Sequence, residues 1–380
     1  MPEFLDQEYQ ELKTRLDELV DVLGTLPELQ PEVLRKEVVA KSKEYGIFQL
    51  TQPKELGGTG AGPMALTIAR EAIAAANLPA GSGYVFGADP GLLRNLTGEA
   101  RAEYLEPVVA GEKSWSFAFT EPSGPEAPHK QTYATVAGTD LKITGQKSFV
   151  TGGAHASFYA ALVNVEGDDE GDSGPAMVII DKDSSGLEIA RKFQSMEGGD
   201  HVELKFSEVI VPMRNIIGSI GEGMPRAMGN IGEERLQVSA LACGMGLWTV
   251  DHITERLMQS HRSGSRLADR EGVRLRYADL RIELYAARSA LYRTARLAEV
   301  AESVEEIMNE ATATKVFCTE MIGHVVDTAI QLAGGQSLIQ GEPLEKLYRR
   351  ARSLRFTGGA SDILRLSIAR GKFDFGAGRL

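Results

Sequence analysis

The feature that most constrains this chain is a change of hydrophobic period in its middle third. Residues 1 to about 112 carry apolar side chains at helical spacing. Residues 113 to 216 alternate in short runs broken by turn residues, and from 217 onward the helical spacing returns. The order reads as an α+β protein: an all-α domain over 1–112, a β domain over 113–216 and a helical bundle domain over 217–380.

At 380 residues, with 43% hydrophobic and 25% charged side chains, the chain can bury a sizeable core. Its net charge of -12 argues against nucleic acid or an anionic membrane as partner, because both select basic surfaces. The segment Met1 to Glu11 is acidic and lacks an apolar core, so no secretory leader is expected. The longest uncharged helical stretch, Leu236 to Val250, has 15 residues, which is short for a bilayer and reads as a helix buried on all sides. Cys243 and Cys318 fit no metal-ligand spacing and lie in apolar helical surroundings. Reduced, buried thiols in a cytoplasmic protein are the expectation, with no metal site.

Helices are expected over Asp6 to Leu23, Pro31 to Tyr45 and Met64 to Asn77, with two more within Leu92 to Ala110. Strands are expected at Phe117–Thr120, Leu141–Thr144, Ser148–Thr151, Ala176–Ile180, Leu187–Ala190, His201–Phe206 and Ser207–Pro212, with a solvated hairpin loop over Asn164 to Gly174. Four long helices near 222–260, 267–298, 302–334 and 343–370 imply an antiparallel four-helix bundle.

Two of these strands carry the sharpest chemical signal. The run SFAFTEP places Phe117 and Phe119 on one face and ends at Glu121-Pro122, and LKITGQKSFVTGG brings Phe149 and Thr151 to a Gly-Gly stop. A large apolar wall beside hydroxyl and backbone donors suits a flat, electron-poor heterocycle, although aromatic strands packing a core share the pattern.

This stretch resembles the middle domain of the acyl-CoA dehydrogenase family, in which a TEP turn and a G-x-K-x-W-I-T run cradle the isoalloxazine of FAD. Similar likeness recurs in Pro53 to Gly60, in the strand ending at Pro212, in Gln331-Leu332-Ala333-Gly334-Gly335 and in Pro343 to Arg350, where Arg350 replaces the usual aspartate. The resemblance implies a three-domain fold whose middle domain is β-barrel-like, FAD as cofactor and α,β-dehydrogenation of an acyl thioester. It implies flavin contacts at Phe117, Phe119, Thr120, Phe149 and Thr151, with Phe149 standing where tryptophan is commoner. Arg262 would reach pyrophosphate, and Gln331, Gly334 and Gly335 the adenosine half. Ser123, in a loop that differs from the family's G-A-G-S-D, would join Arg235 and Gly359 as substrate contacts.

The family usually takes its catalytic base from a Y-E-G-T-S-E-I-Q-R segment. The matching residues are Thr357 to Arg365, and Gly358 stands where the glutamate is expected. A subset of the family takes the base from a central helix, immediately before an Arg-Leu pair, and Glu234 matches that position. Glu234 shares a helix face with Val238, Leu241 and Met245, where a carboxylate's pKa would be raised. Glu233, one step round, stays open as an alternative.

The implied partners are an acyl thioester of coenzyme A or of an acyl carrier protein, an electron-transferring flavoprotein, and further copies of the chain in a homotetramer or homodimer. Two other classes remain compatible: a flavin-dependent monooxygenase on the same fold, and a non-catalytic, partner-dependent subunit.

Overall fold

The computed structural model describes residues 5–78, 80–122, 132–167, 173–261, 264–302 and 305–378. In chain order the helices are α1 (Gln7–Gly24), α2 (Pro31–Glu44), α3 (Pro63–Ala76), α4 (Gly98–Ala100), α5 (Glu106–Ala110), α6 (Gly223–Met258), α7 (Glu271–Val300), α8 (Glu305–Ala333), α9 (Pro343–Leu354) and α10 (Ser361–Phe375). The strands are β1 (Trp115–Ala118), β2 (Tyr133–Ala137), β3 (Asp140–Thr151), β4 (Phe158–Glu166), β5 (Gly174–Asp181), β6 (Leu187–Gln194), β7 (Asp200–Pro212) and β8 (Ile216–Ile217). Helices, then a sheet, then helices is the order expected. The chain forms two compact units, one made of the residues up to Thr51, Gly58–Gly87 and everything from Gly232 onward, the other of Gln52–Gly57 and Ala88–Ile231.

The first unit is helical. In α1, Leu12, Leu16, Leu19 and Leu23 recur every three or four residues and all are buried. They join a core with Ile68 and Ile73 of α3, Leu236, Val238 and Met245 of α6, and Leu291 and Val325 from α7 and α8. Gly244 allows α6 to meet α3 closely, since a Cβ there would lie 2.3 Å from the Glu71 carbonyl oxygen. The Sγ atoms of Cys243 and Cys318 face each other at 3.8 Å within this core.

One expected element differs. The helix expected over 343–370 is two helices, α9 and α10, separated by a turn in which Gly358 and Gly359 take φ values of 65° and 115°. A Cβ at Gly359 would also approach Leu364 Cδ2 to 2.8 Å, so only glycine fits there. The C-terminal bundle therefore carries one more helix than the four expected.

The second unit is built on one sheet with strand order β6-β7-β3-β2-β4-β5-β8, and β1 lies parallel to β4. Strand β4 is buried almost throughout because its two faces serve two cores. Phe158, Ala160 and Leu162 pack with Leu92, Leu93 and Tyr104, whereas Tyr159, Ala161, Val163 and Val165 pack with Leu141, Ile143, Leu204 and Val209. The second core draws on β1, β2, β3, β4, β5 and β7, so the sheet curls around it. The runs expected as two strands at Leu141–Thr144 and Ser148–Thr151 form the single strand β3, and the runs at His201–Phe206 and Ser207–Pro212 form the single strand β7. Bulges, where the β3–β7 register slips, replace the expected breaks.

A buried ion pair ties α3 to α7. Glu71 is 2% exposed and accepts two hydrogen bonds from Arg288, at 2.7 and 3.1 Å, and one from the Tyr292 hydroxyl at 2.6 Å. Removing one partner of a buried pair strands the other charge. Arg288→Ala is expected to lower unfolding free energy by about 3 kcal/mol in urea titration. The double change Glu71→Leu with Arg288→Met should recover most of that loss.

Candidate active site

In the sheet unit the site is set by the β3 bulge. Leu204 pairs with Lys147 and Val202 with Val150, so Ser148 and Phe149 together oppose the single residue Glu203. The extra residue breaks the in-out alternation. Lys147 and Ser148 are both buried, and Phe149 and Thr151 are both exposed. Phe149 is 63% exposed and has a φ of 56°, a conformation that costs a non-glycine residue about 1–3 kcal/mol.

The expected TEP turn is bonded to this bulge. Lys147 Nζ, with no exposed side-chain surface, lies 2.8 Å from Glu121 Oε1 and donates to the Phe119 carbonyl at 3.2 Å. The Ser148 amide donates to the Thr120 carbonyl at 2.8 Å. Sequence reasoning missed the Glu121–Lys147 pair, although a lysine inside a strand of a buried sheet was a signal for one. Thr120 and Thr151 are exposed, and the Thr151 hydroxyl lies 3.2 Å from His201 Nδ1. Phe149 meets Phe193 edge-on at 5.4 Å, and Phe193 stacks on His201 at 5.6 Å.

Phe117 and Phe119 stack on each other at 5.6 Å and are half-buried against the core around Leu92 and Tyr104. Packing therefore occupies much of the surface expected to face a ligand, and the exposed aromatic face on this edge belongs to Phe149. An apolar ring held out of the sheet, with the Thr120 and Thr151 side chains also at the surface, fits a flat heterocycle with polar edges.

In the helical unit, Gln331 lies in the last turn of α8 and Gly334 and Gly335 follow its end, all three exposed. Gly334, at a φ of 82°, stops the helix, and Arg256 Nη2 donates to the Ala333 carbonyl at 2.9 Å. No heavy atom lies within 4 Å of a Cβ built at Gly334 or Gly335, so a bound group can approach their backbone.

The same unit holds Glu234, half-buried on α6. A Cβ built at Gly358 would lie 3.9 Å from Glu234 Cδ and Oε2 and 3.6 Å from Arg235 Cγ. The side chain missing at Gly358 and the carboxyl of Glu234 thus point into one small volume. Burial pushes the Glu234 pKa above the usual carboxylate range, and the charges of Lys315 and Arg235 oppose that rise. Glu233 is exposed.

Arg235, expected to meet substrate, turns into the bundle. Its Nη1 donates to Thr312 Oγ1 at 2.7 Å and contacts Met308 Sδ at 3.0 Å, and its Nε donates to the Gly358 carbonyl at 3.3 Å. Gly359 offers its carbonyl to Lys315 Nζ at 2.7 Å. Lys315 was not singled out from sequence, yet it is the one charge in the run Ala311 to Thr319. The expectations at Ser123 and Arg262 lie outside the described residues.

Comparisons with known proteins assign the family. Models of the N-terminal, middle and C-terminal domains of acyl-CoA dehydrogenases match residues 18–112, 116–209 and 221–373. The chain belongs to the acyl-CoA dehydrogenase family. At the level of that family its chemistry is FAD-dependent oxidoreduction of acyl-CoA.

It is 27% identical over 343 residues to a 3-(aryl)acrylate reductase of Clostridium sporogenes, covering 88% of this chain and 89% of the relative. It is 26% identical to subunit CarC of the caffeyl-CoA reductase–Etf complex of Acetobacterium woodii, covering 94% and 93%. A short-chain specific acyl-CoA dehydrogenase of Clostridium acetobutylicum is 27% identical, covering 88% of each chain. Among solved structures, butyryl-CoA dehydrogenase of Megasphaera elsdenii superposes with a TM-score of 0.81 at 21% identity, covering 97% of this chain and 99% of that one. An acyl-CoA dehydrogenase of Bacillus anthracis complexed with FAD gives 0.80 at 23% identity, covering 98% and 68%.

Because Phe149 holds a costly backbone conformation, Phe149→Asn, which tolerates positive φ, is expected to preserve or raise stability by up to about 1 kcal/mol. Thermal unfolding of the flavin-free protein measures this. A clear loss of stability would mean that the ring supports the sheet.

Proposed function

We propose that this chain is an FAD-dependent acyl thioester dehydrogenase in which Glu234 takes the α-proton. The observation that carries the reading is the common volume faced by Gly358 and Glu234, which puts a carboxylate beside the position that is empty in the turn. The burial that raises its pKa also makes Glu234 a stronger base than a solvated carboxylate. Lys315 and Arg235 oppose that rise and favour the ionised form. Glu233 is the weaker choice because it is exposed and is not among the atoms nearest the Gly358 position, whereas the Glu234 carboxyl is.

When bound, FAD supplies the acceptor for the hydride that leaves the β-carbon. Phe149 would cover a face of its ring system, with Thr120 and Thr151 at the edge and the Gln331–Gly335 turn receiving the adenosine half. Arg262 keeps the pyrophosphate role, and Ser123 the substrate contact, that the family likeness implies. The substrate is an enoyl- or acyl-thioester of coenzyme A or a carrier protein. In the reverse direction the protonated Glu234 would return the α-proton, which suits relatives named as reductases. An electron-transferring flavoprotein is the proposed redox partner, by analogy with CarC, whose name places it in a complex with Etf. A homotetramer and a three-domain division near residues 112 and 216 complete the reading. A monooxygenase needs no carboxylate at this place, so the Glu234 arrangement favours the dehydrogenase.

The purified protein is expected to absorb near the flavin bands and to bleach anaerobically with a matching acyl-CoA. Glu234→Gln should keep the flavin and slow bleaching by about 10² to 10⁴, which is roughly 3 to 5 kcal/mol. Unchanged bleaching would move the base elsewhere.

The raised pKa has a second consequence. A carboxyl whose folded pKa exceeds its ordinary value of 4.5 stabilises the fold below that value, and this stability is lost as pH rises through the folded pKa. Glu234→Gln is therefore expected to melt above wild type at pH values above the folded pKa. The gap should close as pH falls towards about 4. Differential scanning calorimetry across that range measures it.

A further inference from the structure

Lys315 is fully buried on α8, within a run of apolar and hydroxyl-bearing residues in the sequence. A buried ammonium is costly unless its donors are spent and its charge is balanced. Two donors go to backbone carbonyls, Gly359 at 2.7 Å and Arg355 at 3.2 Å. Both belong to the turn between α9 and α10 that brings Gly358 beside Glu234. Two consecutive glycines at positive φ leave that turn little rigidity of its own. It is held from other sides by Arg235 Nε on the Gly358 carbonyl and by Glu320, which pairs with Arg355 at 3.2 Å and Arg365 at 2.6 Å.

We propose that Lys315 is a positioning residue for the Glu234 site: it clamps the Arg355–Gly359 turn through two carbonyls and, from the same buried place, sets its positive charge against the Glu234 carboxyl. The charged groups around it are Glu234 and Arg235 from α6, Glu320 on its own helix and Arg355 from the turn. Arg365 of α10 acts through Glu320. Burial, helped by Arg235, brings the Lys315 pKa down to about 8, so it still carries its charge at neutral pH. The effect on catalytic rate rests on Glu234 being the base. The clamp and the titration of Glu234 do not.

The test uses Lys315→Met and Lys315→Gln in the flavin-loaded protein, with three readouts. The Glu234 carboxyl is titrated by NMR on protein carrying ¹³C-labelled glutamate, assigned by the signal that Glu234→Gln removes. Amide exchange is followed over residues 355–361, and flavin bleaching is followed against pH. Lys315→Met is expected to raise the Glu234 pKa, because the opposing positive charge is removed. Bleaching below that pKa should slow about tenfold for each unit, and exchange in the turn should speed up. Lys315→Gln keeps a donor without the charge, so it should retain the titration shift and restore slow exchange. A Glu234 titration unchanged in both variants would overturn the charge role, and unchanged exchange in Lys315→Met would overturn the clamp.

If Lys315→Met does not fold, the Glu234 titration in Lys315→Gln decides the charge role, and a fall in the protection factors over 355–361, with the intrinsic base-catalysed rate divided out, on discharging Lys315 above pH 8 in wild type decides the clamp. If Glu234→Gln bleaches at the wild-type rate, the base assignment fails. A shifted Glu234 titration in the Lys315 variants would still uphold the positioning role.

Discussion

The Lys147–Glu121 pair is the interaction on which the proposed cofactor edge depends. Lys147 of β3 has a counter-charge 2.8 Å away in the TEP turn, with both side chains out of water. Because Lys147 must stay inside to reach Glu121, β3 absorbs an extra residue, and the bulge turns Phe149 outward. The exposed ring, its unusual backbone angle and the closeness of Thr120 to β3 are then consequences of burying one charge well. Such a pair adds little net stability compared with an apolar replacement, but it fixes geometry sharply because neither partner tolerates separation.

A similar logic runs through the helical unit. Arg288 answers Glu71, Glu320 is shared by Arg355 and Arg365, and Lys315 and Arg235 both reach backbone carbonyls of one glycine turn. Long polar side chains thus do locally what a glycine-rich turn cannot do alone. Glu234 has its proton affinity raised by burial, while the charges of Lys315 and Arg235 oppose the rise.

Much of this was readable from residue order. Leu12, Leu16, Leu19 and Leu23 announce α1 by spacing, and the alternation of His201 to Phe206 announces β7. Strand β4 was not singled out, because FYAALVNVE serves two cores and shows no alternation. Gly145 suggested a turn but lies inside β3, since glycine marks bulges as well as reversals. Glu234 was found by likeness to a family motif, whereas its company was not. Lys315, Arg235 and the glycine turn are far apart in sequence, and only helix packing brings them together. For the same reason the contacts of Arg235 with Thr312 and the Gly358 carbonyl could not be foreseen.

The chain has only two cysteines, and they lie on α6 and α8 with their sulfurs 3.8 Å apart in the dry core. Neither thiol can meet a water-soluble reagent while those helices stay packed, and burial pushes the Cys243 thiol well above its usual pKa, away from the reactive thiolate. Alkylation of the native protein is thereby coupled to opening of the helix pair that carries Glu234 and Lys315. The unmodified chain contains its own chemical clock for that event, readable by mass spectrometry without any added label site.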